Sequence, residues 1–231
     1  MSGSLVSPEL RARVRGVATP IAEGFGRLGL TPNHLTLIGF GIAVVAAVAA
    51  AQQSWLLAGV LVVVGGVFDL FDGALARATG RASTIGAFMD SVFDRAGEAV
   101  VYVGIVAGAT GFGYGIVPWL AAAAMAAAFM VSYTRAKAES LGFTTGMGIA
   151  NVGLAPREVR IVILTIGLVL TGVAGTTCTD MTGGFPCPED WVARGAVVLE
   201  IALGLIAILA VATTIQRIVH VIRESSSKEH Q

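Results

Sequence analysis

Four aspartates stand in stretches that are otherwise apolar: Asp69 and Asp72, three residues apart, and Asp90 and Asp94, four apart. On a helix either spacing puts both carboxylates of a pair on one face. An ionised aspartate at the middle of a bilayer costs about 2.5–3.5 kcal/mol even on the lenient insertion scale, so four of them demand a compensating partner. The stretch between the pairs, Arg77 to Ser83, is short. The two helices must therefore pack antiparallel and can bring all four carboxylates into one small volume. Carboxylates that close repel strongly unless cations neutralise them. Oxygen ligands without His or Cys point to magnesium or manganese rather than zinc, and two ions suit four carboxylates. Chemistry that clusters aspartates around two such ions is typically phosphoryl transfer.

The elements that must position these residues are legible in the hydropathy. The chain has 231 residues, 55% hydrophobic and only 13% charged, with a mean hydropathy of +0.80. That composition lies outside soluble globular domains and indicates a polytopic, all-α membrane protein. Six stretches are long enough to cross the hydrocarbon layer: residues 34–52, 55–76, 84–108, 116–138, 158–176 and 193–216. Six spans put the N-terminus, the 77–83 and 139–157 loops and the C-terminus on one side. All Lys and Arg except Arg194 fall on or toward that side, which places both termini and the aspartates at the cytoplasmic face of the cell membrane. Acidic and basic residues balance at 15 each, so no basic field suggests nucleic acid as a partner.

Before the bundle, Leu10, Val14, Val17, Ile21, Phe25 and Leu28 recur at helical spacing with Arg11, Arg15 and Arg27 between them. The spacing predicts an amphipathic helix over 8–28 lying in the cytoplasmic interface, retained rather than removed as a leader. Gly29 breaks it, and Thr31 caps the next helix with Pro32 in its first turn. The whole of 1–231 then reads as one transmembrane domain, with a six-helix bundle over 34–216 and a cytoplasmic tail over 217–231. Gly- and Ala-rich faces, such as Gly59 with Gly65 and Gly66 or Ala121 to Ala124, serve close packing within the bundle or a dimer seam. Cys178 and Cys187 share the longest outer loop, where a disulfide is permitted.

The aspartates belong to a longer string: Asp69-x2-Asp72-Gly73-x2-Ala76-Arg77-x8-Gly86-x3-Asp90-x3-Asp94. This string resembles the signature of the CDP-alcohol phosphotransferase family at each defined position, and the six-span layout agrees with it. The resemblance implies an enzyme in which an acceptor hydroxyl attacks the β-phosphorus of a CDP-linked donor and CMP leaves, with divalent metal required. It implies that Asp69, Asp72 and Asp90 are metal ligands, and that Asp94 stands near metal as the general base. Gly73, Ala76 and Arg77, together with Asp69, would line the CDP-donor pocket, and a homodimer is expected. The segment from Thr31 to Thr36 is similar to one at the family's nucleotide-binding end, where Asn33 would contact cytidine or serve only as a helix start.

Cations at neighbouring helix ends bear on the acceptor. Arg135 and Lys137 close the fourth span, and Arg157 and Arg160 open the fifth. Together they suit a phosphate dianion, or serve as positive-inside markers that meet lipid headgroups. The string from Ser132 to Glu139 and the later Arg157-x2-Arg160 resemble those of prokaryotic phosphatidylinositol-phosphate synthases. By that likeness the donor is CDP-diacylglycerol and the acceptor inositol 1-phosphate, with Arg135, Arg157 and Arg160 on the acceptor phosphate. One departure is that Pro156 precedes the first arginine, where the pattern has proline after it. Glycerol 3-phosphate would need the same basic pocket. A cation transporter is the rival from another class, but no acidic positions in the outer halves of other spans match these four.

Overall fold

The computed structural model describes residues 19–110, 114–143, 153–174 and 189–229. Seven helices and no strands occur among them: α1 (19–27), α2 (Pro32–Ala51), α3 (Trp55–Ala78), α4 (Thr84–Ala109), α5 (Val117–Ser140), α6 (Arg157–Ala174) and α7 (Glu189–Glu229). Four stretches are long and apolar enough to cross a membrane: α2, α3, α5 and Arg194–Ser226 within α7. Helices α4 and α6 are long enough, at 26 and 18 residues, but carry charge: Asp90, Asp94, Arg95 and Glu98 on one, Arg157, Glu158 and Arg160 on the other. These are the helices that meet at the candidate site.

Local chemistry sets the helix ends. The Thr31 hydroxyl accepts from the His34 amide, and His34 Nδ1 accepts in return from the Thr31 amide, with Pro32 in the first turn. Gly80 adopts a φ of +63°, which lets the chain reverse after α3. Ser83 then caps α4 by accepting from the Gly86 amide at 3.0 Å. The turn between the two aspartate-bearing helices is thus fixed at both ends. Helix α1, the described part of the segment expected as an interfacial helix, buries Ala22 and rests Phe25 against Phe68 and Phe71 of α3, 6.0 and 5.8 Å between ring centres. Residues 8–18 lie outside the described residues, as do Cys178 and Cys187.

Helix α2 packs on α3 and α4, α6 lies between α3 and α7, and α5 joins α4 to α7. Small residues permit the closest approaches: a methyl group on Gly104 or Gly108 would overlap the α2 backbone at Ala47 and Ala50. On α3, a methyl on Gly59 would press into Val169 of α6 at 2.8 Å, so this glycine serves packing inside the chain. At the end of the bundle remote from the aspartates, buried Trp55 donates through Nε1 to the Tyr114 hydroxyl at 2.7 Å. The region expected as a cytoplasmic tail from residue 217 is helical and continues α7 through Glu229, with no Gly or Pro to end the helix.

Candidate active site

Asp69 and Asp72 lie near the C-terminal end of α3, and Asp90 and Asp94 in the first half of α4. Helices α3 and α4 do not pack extensively on each other, although the short turn between them suggested it; both pack on α2, and one cleft is lined by Thr36, Asp69, Asp94, Glu98 and Arg157. Arg157, the first residue of α6, spans the two aspartate helices. Its Nη2 lies 2.9 Å from an Asp69 oxygen and its Nη1 2.9 Å from an Asp94 oxygen. Arg95 approaches the same Asp94 oxygen at 3.5 Å. Asp72 is almost completely buried and accepts a 2.7 Å bond from the Thr36 hydroxyl of α2. Asp90 is half-buried and lies in the field of Asp69, Arg157 and Arg95.

As the side chains stand, no three acidic or histidine groups among the described residues close on a single point. Arg157 takes up Asp69 and Asp94, and Thr36 takes up Asp72. The donor set nonetheless fits a hard divalent cation. Asp69 and Asp94 meet the guanidiniums of Arg157 and Arg95, Asp72 and Asp90 stand nearby on the same two helices, and each of these donors is an oxygen. The bonds to Arg157 show that carboxylates from the two helices do reach one shared cation.

Gly73, Ala76, Arg77 and Asn33, expected at the CDP-donor pocket, are not among the residues that line this cleft. The Arg77 guanidinium lies over Gly73, so that a methyl there would meet Nη1 at 3.2 Å, and Arg77 itself is exposed. A methyl on Gly86 would meet the Asn33 side-chain oxygen at 3.4 Å, which puts Asn33 beside the turn into α4. Ala76 is half-buried on the last turns of α3.

The expected acceptor cations divide among different partners. Arg135 is exposed and pairs with Glu139 of its own helix at 2.8 Å, and Lys137 is exposed nearby. Arg160 is 1% exposed and bonded bidentately to Glu98, at 2.8 Å for each contact. Arg157 is the cation that touches the aspartates. Helix α7 adds Arg217, which is buried, donates to the Val131 carbonyl and has Arg135 and Arg160 among its charged neighbours.

Thr36, Arg95 and Glu98, to which the sequence reading gave no role of their own, therefore belong to the site, and Arg217 stands near its cationic end. Glu98 and Arg217 carried a usable signal, since each is a charge inside an apolar run. Thr36 carried none, because a threonine one turn after Pro32 reads as an ordinary helix residue, and it does bond the Pro32 carbonyl at 3.2 Å.

Comparison with known proteins gives the chain's relatives. Residues 29–223 match the sequence model described as CDP-alcohol phosphatidyltransferase. The chain is 37% identical to the archaetidylinositol phosphate synthase of Pyrococcus horikoshii over 71% of its own length and 83% of that protein's. It is 36% identical to the phosphatidylinositol phosphate synthase of Cutibacterium acnes, covering 94% of this chain and 98% of the other. Among solved structures, that of Mycobacterium tuberculosis phosphatidylinositol phosphate synthase with CDP-DAG bound superposes with a TM-score of 0.69 at 26% identity, covering 89% of this chain and 93% of that one. The same enzyme in complex with manganese and citrate gives a TM-score of 0.69, at 26% identity and 88% coverage of each chain.

Proposed function

Because the chain belongs to the CDP-alcohol phosphatidyltransferase family, we propose that it transfers the phosphatidyl group of CDP-diacylglycerol to the hydroxyl of inositol 1-phosphate and releases CMP. The observation that carries this reading is the pair of 2.9 Å contacts from Arg157 to Asp69 and Asp94. They put a carboxylate centre, suited to a metal-bound diphosphate, directly against the cationic end of α6, suited to a phosphorylated acceptor. The names of the relatives support inositol phosphate as that acceptor.

Asp69, Asp72, Asp90 and Asp94 would hold divalent metal, magnesium or manganese and two ions by the count of carboxylates. When bound, such ions supply positive charge to the diphosphate and to the phosphate that departs. Asn33, Gly73, Ala76 and Arg77 border the cytidine diphosphate, with the missing side chain of Gly73 leaving room beside the Arg77 guanidinium. Arg135, Lys137 and Arg157 attract and orient the acceptor phosphate, with Arg160, buried against Glu98, and Arg217 adding positive charge behind them. Asp94 takes the proton from the acceptor hydroxyl as its oxygen bonds to the β-phosphorus. The bond from that phosphorus to the oxygen of CMP then breaks, and CMP leaves with the electron pair.

The protein crosses the membrane six times, with α4 and α6 completing the four more apolar spans, and both termini and the site lie at the cytoplasmic face. Helix α1 lies in the interface, so that a lipid donor and a soluble acceptor meet at the aspartates. The active unit is a homodimer, by analogy with the family.

The test is CMP release by purified protein with magnesium and CDP-diacylglycerol, comparing inositol 1-phosphate, glycerol 3-phosphate and serine, with Asp90→Asn as control. A parallel arm replaces the donor by its dialkyl ether counterpart, since one relative is named for an archaetidyl product. Turnover favouring inositol 1-phosphate and lost in Asp90→Asn is expected. Preference for glycerol 3-phosphate would overturn the acceptor, and absence of CMP release with every pair would overturn the transferase reading.

A further inference from the structure

Glu98 takes no part in the chemistry above, yet it is 5% exposed, charged and on the face of α4 that carries Asp90 and Asp94, at successive intervals of four residues. Opposite it, Arg157 and Arg160 lie three apart at the start of α6. The two faces form a ladder of two rungs. Asp94 meets Arg157 at 2.9 Å, and Glu98 meets Arg160 through two parallel bonds of 2.8 Å. Arg160 also donates from Nη1 to the Ala155 carbonyl at 3.0 Å. The amides of Leu154 and Ala155 in turn donate to the Thr213 hydroxyl of α7, at 3.0 and 2.9 Å.

Helix α6 packs extensively on α3 and α7, whereas α4 packs on α2 and α5. No extensive helix packing joins α6 to α4, so the rungs are what tie the first turn of α6 to the aspartates of α4. Glu98 is also a buried anion among guanidiniums: Arg95, Arg157 and Arg160 surround it. With Glu98 removed, Arg160 would be an unpaired buried cation and would draw Arg157 and the α6 start away from Asp94.

We infer that Glu98 is a positioning residue for the acceptor site: acting through Arg160, it holds the first turn of α6 so that Arg157 faces the aspartates and the incoming phosphate. This rests on the proposed transferase reading and deepens it. The acceptor side is singled out because Arg160 neighbours the cationic cluster with Arg217, while the nucleotide-side groups Asn33 and Arg77 sit on α2 and α3.

The test measures KM for each substrate in wild type, Glu98→Gln, Arg160→Gln and the double variant, with magnesium and CDP-diacylglycerol and whichever phosphorylated acceptor wild type turns over. Glu98→Gln is expected to raise the acceptor KM by about 10- to 100-fold, the scale of a misplaced orienting group, and to leave the CDP-diacylglycerol KM within about twofold. The double variant should be no worse than Arg160→Gln alone, since one residue acts through the other. An unchanged acceptor KM, equal changes for both substrates, or additive effects would overturn the inference. Glu98→Asp, which keeps the charge and shortens the reach, decides the matter if Glu98→Gln does not fold: a smaller rise in the acceptor KM supports the inference and no rise overturns it. Should wild type turn over neither inositol 1-phosphate nor glycerol 3-phosphate, the transferase reading has failed on its own. Calorimetric binding of inorganic phosphate then tests Glu98 separately. Binding weakened at least about tenfold by Glu98→Asp supports the positioning role, and equal or absent binding overturns it.

Discussion

Replacing Thr36 by valine keeps the shape of the side chain and its branching at Cβ, but deletes the hydroxyl that donates to Asp72 at 2.7 Å. Both residues are buried, at 6% and 5% exposure, so water cannot take over the bond. A hydrogen bond to a charged acceptor contributes about 1.5–3 kcal/mol, which at about 1.4 kcal/mol per decade amounts to about 10- to 150-fold in an equilibrium constant. Outer groups that orient a metal-binding side chain cost about 10- to 100-fold in metal affinity when removed, which is the same range from independent systems. Thr36→Val is therefore expected to raise the manganese concentration for half-maximal CMP release by one to two orders of magnitude, with little change at saturating metal. Direct titration of manganese by electron paramagnetic resonance should show the same shift in protein without substrate. Thr36→Ser, which restores the donor, should return both values toward wild type. An unaltered manganese dependence in Thr36→Val, with the protein folded, would refute the claim that Asp72 is a metal ligand held by Thr36.

Three further substitutions test the packing of the bundle. Gly108→Ala places a methyl group on the Ala50 carbonyl of α2, and backbone cannot yield as a side chain does, so a loss of about 1–3 kcal/mol or more is expected in thermal unfolding in detergent. Gly41→Ala, where nothing lies within 4 Å, should instead gain up to about 1 kcal/mol from helix propensity. Trp55→Phe removes the bond to Tyr114 and should cost about 1–3 kcal/mol of stability. It leaves the specific rate of CMP release unchanged, because Trp55 precedes Asp69 along α3 by fourteen residues, about 21 Å.

Hydropathy and periodicity located five of the helices, while α7 runs well beyond the span expected at 193–216. The expected spans begin and end within two residues of α2 to α6, because an apolar run bounded by Gly, Pro and polar residues leaves the chain few other ways to satisfy its backbone in lipid. The aspartate string was legible for the same local reason: i, i+3 and i, i+4 spacing fixes which carboxylates share a face. Partnership across the bundle was not. Thr36 with Asp72, Glu98 with Arg160 and Arg157 with Asp69 are separated by 36, 62 and 88 residues. A charge in a sequence states only that a partner is needed and does not say which one. Arg135, Lys137, Arg157 and Arg160 looked equivalent as cations at neighbouring helix ends. Only the tertiary structure decided that Arg160 is buried against Glu98, that Arg157 bridges the aspartate helices and that Arg217 stands beside Arg135 and Arg160. That choice depends on the rotation of α6 and α7 about their axes and on their register against α4. Side-chain packing sets both, and hydropathy, which is much the same on every face of a membrane helix, does not specify them.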